Sequence, residues 1–295
     1  MALHLSPLHP LFAAEVRGID LRQTPDAAGC AEIHRAMDRY AVLVFRDQRL
    51  DDDQQMGFGA ALGPLEQTRG VVDAHKHRLK HHNMADISNI DVDGNLLAAD
   101  DRRRMFNLGN QLWHSDSSFK ATPALYSMLH ARLIPPEGGE TEFADMRAAW
   151  DALPQRLKDE VKDLVTEHSL LFSRGKLGFA DYTDQERQDF APVQQRLVRW
   201  HPGSGRHSIY LSSHIGTILG WPTPEAMALI RWLEEFATQR PFVYTHHWRQ
   251  HDLVIWDNRS TMHRARPYAD KTFARDMRRV TLTDVAPTLA QRMAA

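Results

Sequence analysis

Cysteine is almost missing from this chain: Cys30 is the only one in 295 residues. An intramolecular disulfide is therefore excluded, and the sequence reads as one for a reducing, cytoplasmic compartment. Long apolar runs are missing too; none approaches the roughly 20 residues that span a bilayer. The opening Met-Ala-Leu-His-Leu-Ser-Pro lacks the basic start and apolar core of a signal peptide. Charge of one sign is not in excess. The formal net charge is -2 at pH 7, so no global basic field points to nucleic acid. Internal repeats, low-complexity tracts and linkers are also lacking. The expectation is one domain over 1–295, without membrane or nucleic-acid partners, long enough to bury a sizeable core.

Hydrophobic residues make up 42% of the chain and fall in patterns that alternate between two periods. Strands are expected over 14–21, 41–45, 125–134, 242–249, 252–257 and about 277–285. Hairpins are expected over 87–97, turning at Asp93-Gly94, and over 197–211, turning through Pro202-Gly203-Ser204-Gly205. Helices are expected after Thr24-Pro25, over 51–62, after Asp145, over 154–166 and from Thr223-Pro224. Residues 168–192 read as irregular. Residues 66–84 carry His75, His77, His81 and His82 among lysines and arginines. They read as a solvated basic loop or a lid. The sum is a mainly β fold with helical inserts, a jelly-roll type core with a long insert over about 145–240.

Histidine is frequent, 17 in all, so no single one carries an argument. His114 and Asp116 stand two residues apart, which on a strand puts both on one face. His263 follows the apolar run Asp252-Leu-Val-Ile-Trp-Asp-Asn258. Two imidazoles and one carboxylate around open positions form the facial triad of non-haem Fe(II) oxygenases. The lack of thiolate argues against a structural zinc site. Arg275 and Arg279 are four apart on an expected strand, sharing a face at roughly 13 Å. One can clamp a keto-acid carboxylate and the other an anionic substrate. Arg278 falls on the opposite face.

Five stretches together resemble a known family. They are Pro7-Leu-His-Pro-Leu-Phe12, Ala41-Val-Leu-Val-Phe-Arg46, Gln111-Leu-Trp-His-Ser-Asp-Ser-Ser-Phe119, the run from Gly138-Gly-Glu-Thr141 to Ala149, and Trp256-Asp-Asn-Arg through His263-Arg264. The family is the Fe(II)/2-oxoglutarate dioxygenases of the taurine and 2,4-dichlorophenoxyacetate dioxygenase group, with the latter branch nearer. The resemblance implies a double-stranded β-helix and a likeness that leaves out only the last dozen residues. It implies Fe(II) held by His114, Asp116 and His263, with 2-oxoglutarate and O2 as cosubstrates. Arg275 would clamp the 2-oxoglutarate carboxylate, with Thr141 and Trp248 beside it. Asn110, His201 and Arg279 would meet a small anionic substrate. The implied reaction hydroxylates an aryloxyalkanoate, yielding succinate, CO2, a phenol and glyoxylate. A homo-oligomer is expected. Lysines described for that branch in the lid and near the hairpin do not match; Val71 or Val72 and Asn95 stand there. A sulfonate or alkyl sulfate substrate, and a sensor that binds iron and 2-oxoglutarate without turnover, are the competing readings.

Overall fold

The computed structural model describes residues 3–67 and 78–292. Of the basic stretch 66–84, residues 68–77 lie outside the described residues, and with them the lid reading, Val71 and Val72. The strands of the large sheet are β1 (His4–Pro7), β2 (Ala14–Arg17), β3 (Val42–Phe45), β4 (Met84–Asp86) and β5 (Ala124–Leu133), joined later by β13 (Leu253–Asp257) and β15 (Asp276–Thr283). Their order is β1-β2-β3-β13-β5-β15-β4. A small facing sheet joins β6 (Thr141–Asp145), β12 (Val243–His246) and β14 (Thr261–Ala265) in the order β12-β6-β14. These two sheets make the double-stranded β-helix core.

The apolar runs of β3 and β13 are unbroken because both of their faces are buried. Val42, Val44, Val254 and Trp256 point into the sandwich with Phe143 of the small sheet. Leu43, Phe45, Leu253 and Ile255 point the other way, under helices α1 (Ala27–Tyr40) and α2 (Asp52–Leu62) with Ile33, Met37 and Phe58. On β15 the same alternation sends Met277 into the sandwich and Val280 and Leu282 toward the helices. Arg279 shares the parity of Met277, and Arg278 that of Val280.

Several local expectations are corrected. α1 starts later than Thr24-Pro25, because the Asp26 carboxylate accepts from the Gly29 N–H at 2.8 Å and caps it. The helix expected over 154–166 stops early. Its first part is α5 (Gln155–Val161), and Val165–His168 is a strand, β7, where β-branched Val165 and Thr166 suit a ladder. The insert is not purely helical. Between α4 (Met146–Ala152) and α8 (Thr223–Ala237) it also holds β8 (Val193–Arg196), β9 (Val198–His201), β10 (Arg206–Ile209) and β11 (Ile215–Ile218). The stretch 168–192 contains α6 (Leu170–Gly175) and α7 (Asp184–Asp189), and α3 (Arg102–Asn107) precedes the metal motif.

Candidate metal centre and its cavity

His114 and His263 face each other across an isolated antiparallel bridge. The His114 N–H donates to the His263 carbonyl at 3.0 Å, and the His263 N–H donates back at 2.8 Å. Their ring centroids stand 4.2 Å apart. His114 is thus outside any regular strand, and Asp116 opens a turn in which Ser117 takes φ +52°. A turn, not the shared strand face expected from the sequence, brings the carboxylate back toward the imidazoles. Asp116 Oδ1 lies 3.8 Å from His114 Nε2, and Oδ2 lies 3.7 Å from His263 Nε2. These distances are too long for hydrogen bonds, yet one ligand atom from each residue falls within 4.8 Å of the others.

The protonation states suit ligation. His114 Nδ1 donates to the Leu112 carbonyl at 2.7 Å, which leaves Nε2 its lone pair. Burial pushes the pKa of both imidazoles down, so each is the neutral ligand form. Burial also works to raise the Asp116 carboxyl, but Arg279, His263 and His114 outweigh it and hold the group at about 2. Ser127 Oγ donates to Asp116 Oδ2 at 2.8 Å, and Arg279 Nη1 to Oδ1 at 2.6 Å. The Asp116 N–H donates to Asn258 Oδ1, itself held by Trp256 Nε1. Two lone-pair imidazoles and one oriented carboxylate fit Fe(II) or a similar divalent ion.

Thr141, Trp248 and Arg275 form a second group. Trp248 Nε1 donates to Thr141 Oγ1 at 3.0 Å, which leaves the threonine proton free to donate elsewhere. Arg275 is only 6% exposed. Its Nη2 donates to the Gly139 carbonyl at 3.3 Å, its guanidinium lies 5.9 Å from the Tyr268 ring, and its Nε has no partner. No carboxylate pairs with it among the described residues, and burial pulls its pKa down to about 10. The turn before Thr141 must be glycine: at Gly138, φ +75°, a Cβ would meet the Pro267 carbonyl at 2.7 Å. Arg278, the sequence rival of Arg275, is committed on the other face to Asp276, Asp86 and Asp52.

A cavity of about 210 Å³ opens beside the triad. A single water needs only about 10–15 Å³ by this measure, so the space suits an organic molecule. Asn110 and Arg279, the substrate-facing candidates of the sequence, line it. His201 does not. It is 1% exposed, with Nε2 2.9 Å from Asp257 Oδ2 and Nδ1 2.9 Å from Ser204 Oγ. That carboxylate holds it in a buried network under the β9–β10 turn, away from the cavity. Sequence reasoning missed His214, Arg174, Phe119 and Phe190, which line the cavity, and also Ser127 and Asn258, which orient Asp116. Asn258 and Phe119 lay within the stretches that carry the family resemblance; the others had no local signal.

Comparison with known proteins agrees with this geometry. The family described as "Taurine catabolism dioxygenase TauD, TfdA family" matches residues 4–281. An alpha-ketoglutarate-dependent 2,4-dichlorophenoxyacetate dioxygenase of Cupriavidus pinatubonensis is 48% identical over 286 residues, 97% of this chain and 99% of the relative. An (S)-phenoxypropionate/alpha-ketoglutarate-dioxygenase of Sphingobium herbicidovorans is 38% identical over 90% of each chain. The crystal structure of AAD-2 in complex with Mn(II) and N-oxalylglycine superposes with a TM-score of 0.94 at 51% identity, covering 98% of this chain and all of that one. With its two facing histidines, its oriented aspartate and its unpaired buried arginine, the chain belongs to the TauD/TfdA family of dioxygenases.

Proposed function

We propose that this chain is an Fe(II)- and 2-oxoglutarate-dependent dioxygenase whose substrate is an aryloxyalkanoic acid. The observation that carries the reading is Arg275, a buried guanidinium with no carboxylate of its own, set beside the Gly138-Gly139 turn that leads into Thr141. A dicarboxylate cosubstrate supplies the missing anion. The names of the relatives support the aryloxy acid, and so does the cavity, whose Phe119 and Phe190 walls suit an aromatic ring. The half-buried free thiol of Cys30 supports a reducing, cytoplasmic setting.

His114, Asp116 and His263 would hold the iron, and Arg275 with the Thr141 hydroxyl would hold the 2-oxoglutarate carboxylates. When bound, iron and 2-oxoglutarate supply the oxidising chemistry, in which O2 is consumed, CO2 and succinate leave, and one oxygen atom enters the substrate. The protein's own contribution is position. Ser127 and Arg279 hold the two carboxylate oxygens of Asp116, Asn258 holds its backbone N–H, and the Leu112 carbonyl fixes the His114 tautomer. The cavity walls exclude water and hold one C–H bond at the metal face. For an aryloxyacetate, hydroxylation of the carbon bearing the ether oxygen gives a hemiacetal. Its collapse breaks that C–O bond to yield a phenol and glyoxylate.

The test is anaerobically loaded Fe(II) protein given 2-oxoglutarate and oxygen, screened against aryloxyalkanoates, sulfonates, alkyl sulfates and aryl carboxylates. Succinate release coupled to phenol from 2,4-dichlorophenoxyacetate is expected. Coupling only to sulfates or sulfonates would move the enzyme to another substrate class. Binding of 2-oxoglutarate with no substrate-dependent succinate would make it a sensor.

A further inference from the structure

Among the described residues, five lysine and arginine side chains line the cavity. Four are already matched with carboxylates: Arg78 with Asp86 and Asp276, Arg103 with Asp101, Lys120 with Glu66, and Arg279 with Asp116. The fifth, Arg174 at the end of α6, has no carboxylate partner among the described residues. It is 6% exposed. Its Nη1 donates only to its neighbour's hydroxyl, Ser173 Oγ, at 3.3 Å, and its Nε has no partner. The guanidinium packs 4.4 Å from the Phe106 ring. It lies so close to Gly109 that a Cβ there would meet Nη1 at 2.1 Å. Sequence has therefore left a gap for this head group on one side and an aromatic platform on the other, without supplying an anion. Leaving a buried charge uncompensated costs several kcal/mol unless a ligand compensates it.

We propose that Arg174 is the residue that recognises the substrate carboxylate, and so determines the preference for acids; this rests on the aryloxy acid reading above. Arg279, the sequence candidate for that role, already gives Nη1 to the metal-binding carboxylate, where it orients Asp116. His214, the other basic group on this wall, is the wrong partner for an anion. Ser173 Oγ donates its one proton to the Leu170 carbonyl, so it must accept from His214 Nδ1, 2.8 Å away. Nδ1 is thereby committed as the donor to Ser173. The Tyr182 hydroxyl near Arg174 is no counter-ion either, since burial pushes its pKa up and keeps it neutral. Ser173 thus ties the Arg174 guanidinium and the His214 ring into one unit. That unit stands beside the metal site, with the His214 ring centroid 6.2 Å from that of His114. Arg174 lines the same cavity as His114, Asp116, Phe119 and Phe190, so a carboxylate held on it belongs to a molecule that shares the space with the metal site and the aromatic walls.

The test is calorimetric titration of the anaerobic Fe(II)- and 2-oxoglutarate-loaded enzyme with 2,4-dichlorophenoxyacetate and with its uncharged amide. Arg174→Gln is expected to weaken the acid by about 30-fold or more, the loss typical of removing one partner of a desolvated charge pair. The amide and 2-oxoglutarate itself should bind nearly as in the wild type. Arg174→Lys should restore part of the acid affinity. Gly109→Ala is the second variant: it keeps the charge but displaces the head group, and should also penalise the acid alone. Equal losses for acid and amide would overturn the proposal. So would selective loss of the acid in Arg279→Gln with full retention in Arg174→Gln. A wild-type enzyme that neither binds nor turns over any aryloxyalkanoate would instead overturn the substrate reading on which this rests.

Discussion

The buried arginines of this protein fall into two sets. In the first, Arg147 is paired with Asp145 and Arg199 with Asp284, both inside the fold. Arg147 also donates to the Asp38 carbonyl, tying the start of α4 to the end of α1. In the second set, Arg275 and Arg174 are also buried and have no carboxylate partner among the described residues. The desolvation cost is similar for both sets, so the difference lies in what repays it. A carboxylate within the fold makes an arginine structural. On the two readings proposed above, its lack makes the arginine a receptor, and the apoprotein carries the cost until an anion arrives. The same contrast separates neighbours in sequence: Arg278 is surrounded by Asp276, Asp86 and Asp52, while Arg275, three residues earlier, faces only Gly139 and Tyr268.

The largest effect is expected at the metal centre itself. His263→Ala should lose stoichiometric Fe(II) and all substrate-dependent succinate, read by metal analysis after desalting and by turnover. Wild-type activity at limiting iron in that variant would remove His263 from the site. Next is the paired set. Asp284→Asn leaves Arg199 buried without its carboxylate, and unfolding in denaturant should show a loss of about 3–5 kcal/mol with metal content unchanged. A loss below 1 kcal/mol would blur the division between the sets.

The unpaired set should behave the other way round. Arg275→Gln is expected to raise the 2-oxoglutarate dissociation constant roughly 10- to 150-fold, equivalent to about 1.5–3 kcal/mol for a charge-assisted bond. Without 2-oxoglutarate its unfolding midpoint should not fall, because no native pair is broken. Arg278→Gln is the control, with stability lowered and cosubstrate binding kept; the reverse outcome would exchange the two roles. The smallest effect concerns pH. His168 is buried between Ser118 and Thr166, and burial pulls its pKa from 6.5 to about 3. Between those values the unfolded chain binds the extra proton. The stability this group contributes is therefore complete above pH 6.5 and is lost toward pH 3, at about 1.4 kcal/mol per pH unit. His168→Gln should flatten the dependence of unfolding free energy on pH in that window. An unchanged slope would assign it to other groups.

Much of the frame was legible because burial on two faces leaves a plain trace. Val42-Leu-Val-Phe45 and Leu253–Trp256 are unbroken apolar runs, and the β9–β10 hairpin announces itself through Pro202 and Gly203. The metal ligands were legible because ligation demands particular side chains. What escaped was short or non-local. α6 and α7 have six residues each, too few to display a helical stripe, although Thr183 and Glu186 form a capping box at the start of α7. With α6 unread, Arg174 had no place. His201 was misplaced because its partner, Asp257, is 56 residues away. No local pattern distinguishes a histidine held by a distant carboxylate from one facing a ligand.

The main-chain bridge between His114 and His263 has a further consequence. Two of the three ligands hang from opposite ends of one rung, so the gap between their imidazoles is inherited from the spacing of paired strands, about 5.5 Å between α-carbons. Neither side chain contributes to the two hydrogen bonds that set this gap. The socket therefore exists whether or not its ligands do. Exchanging a histidine for another residue changes what the socket grips, and leaves its width as the backbone made it.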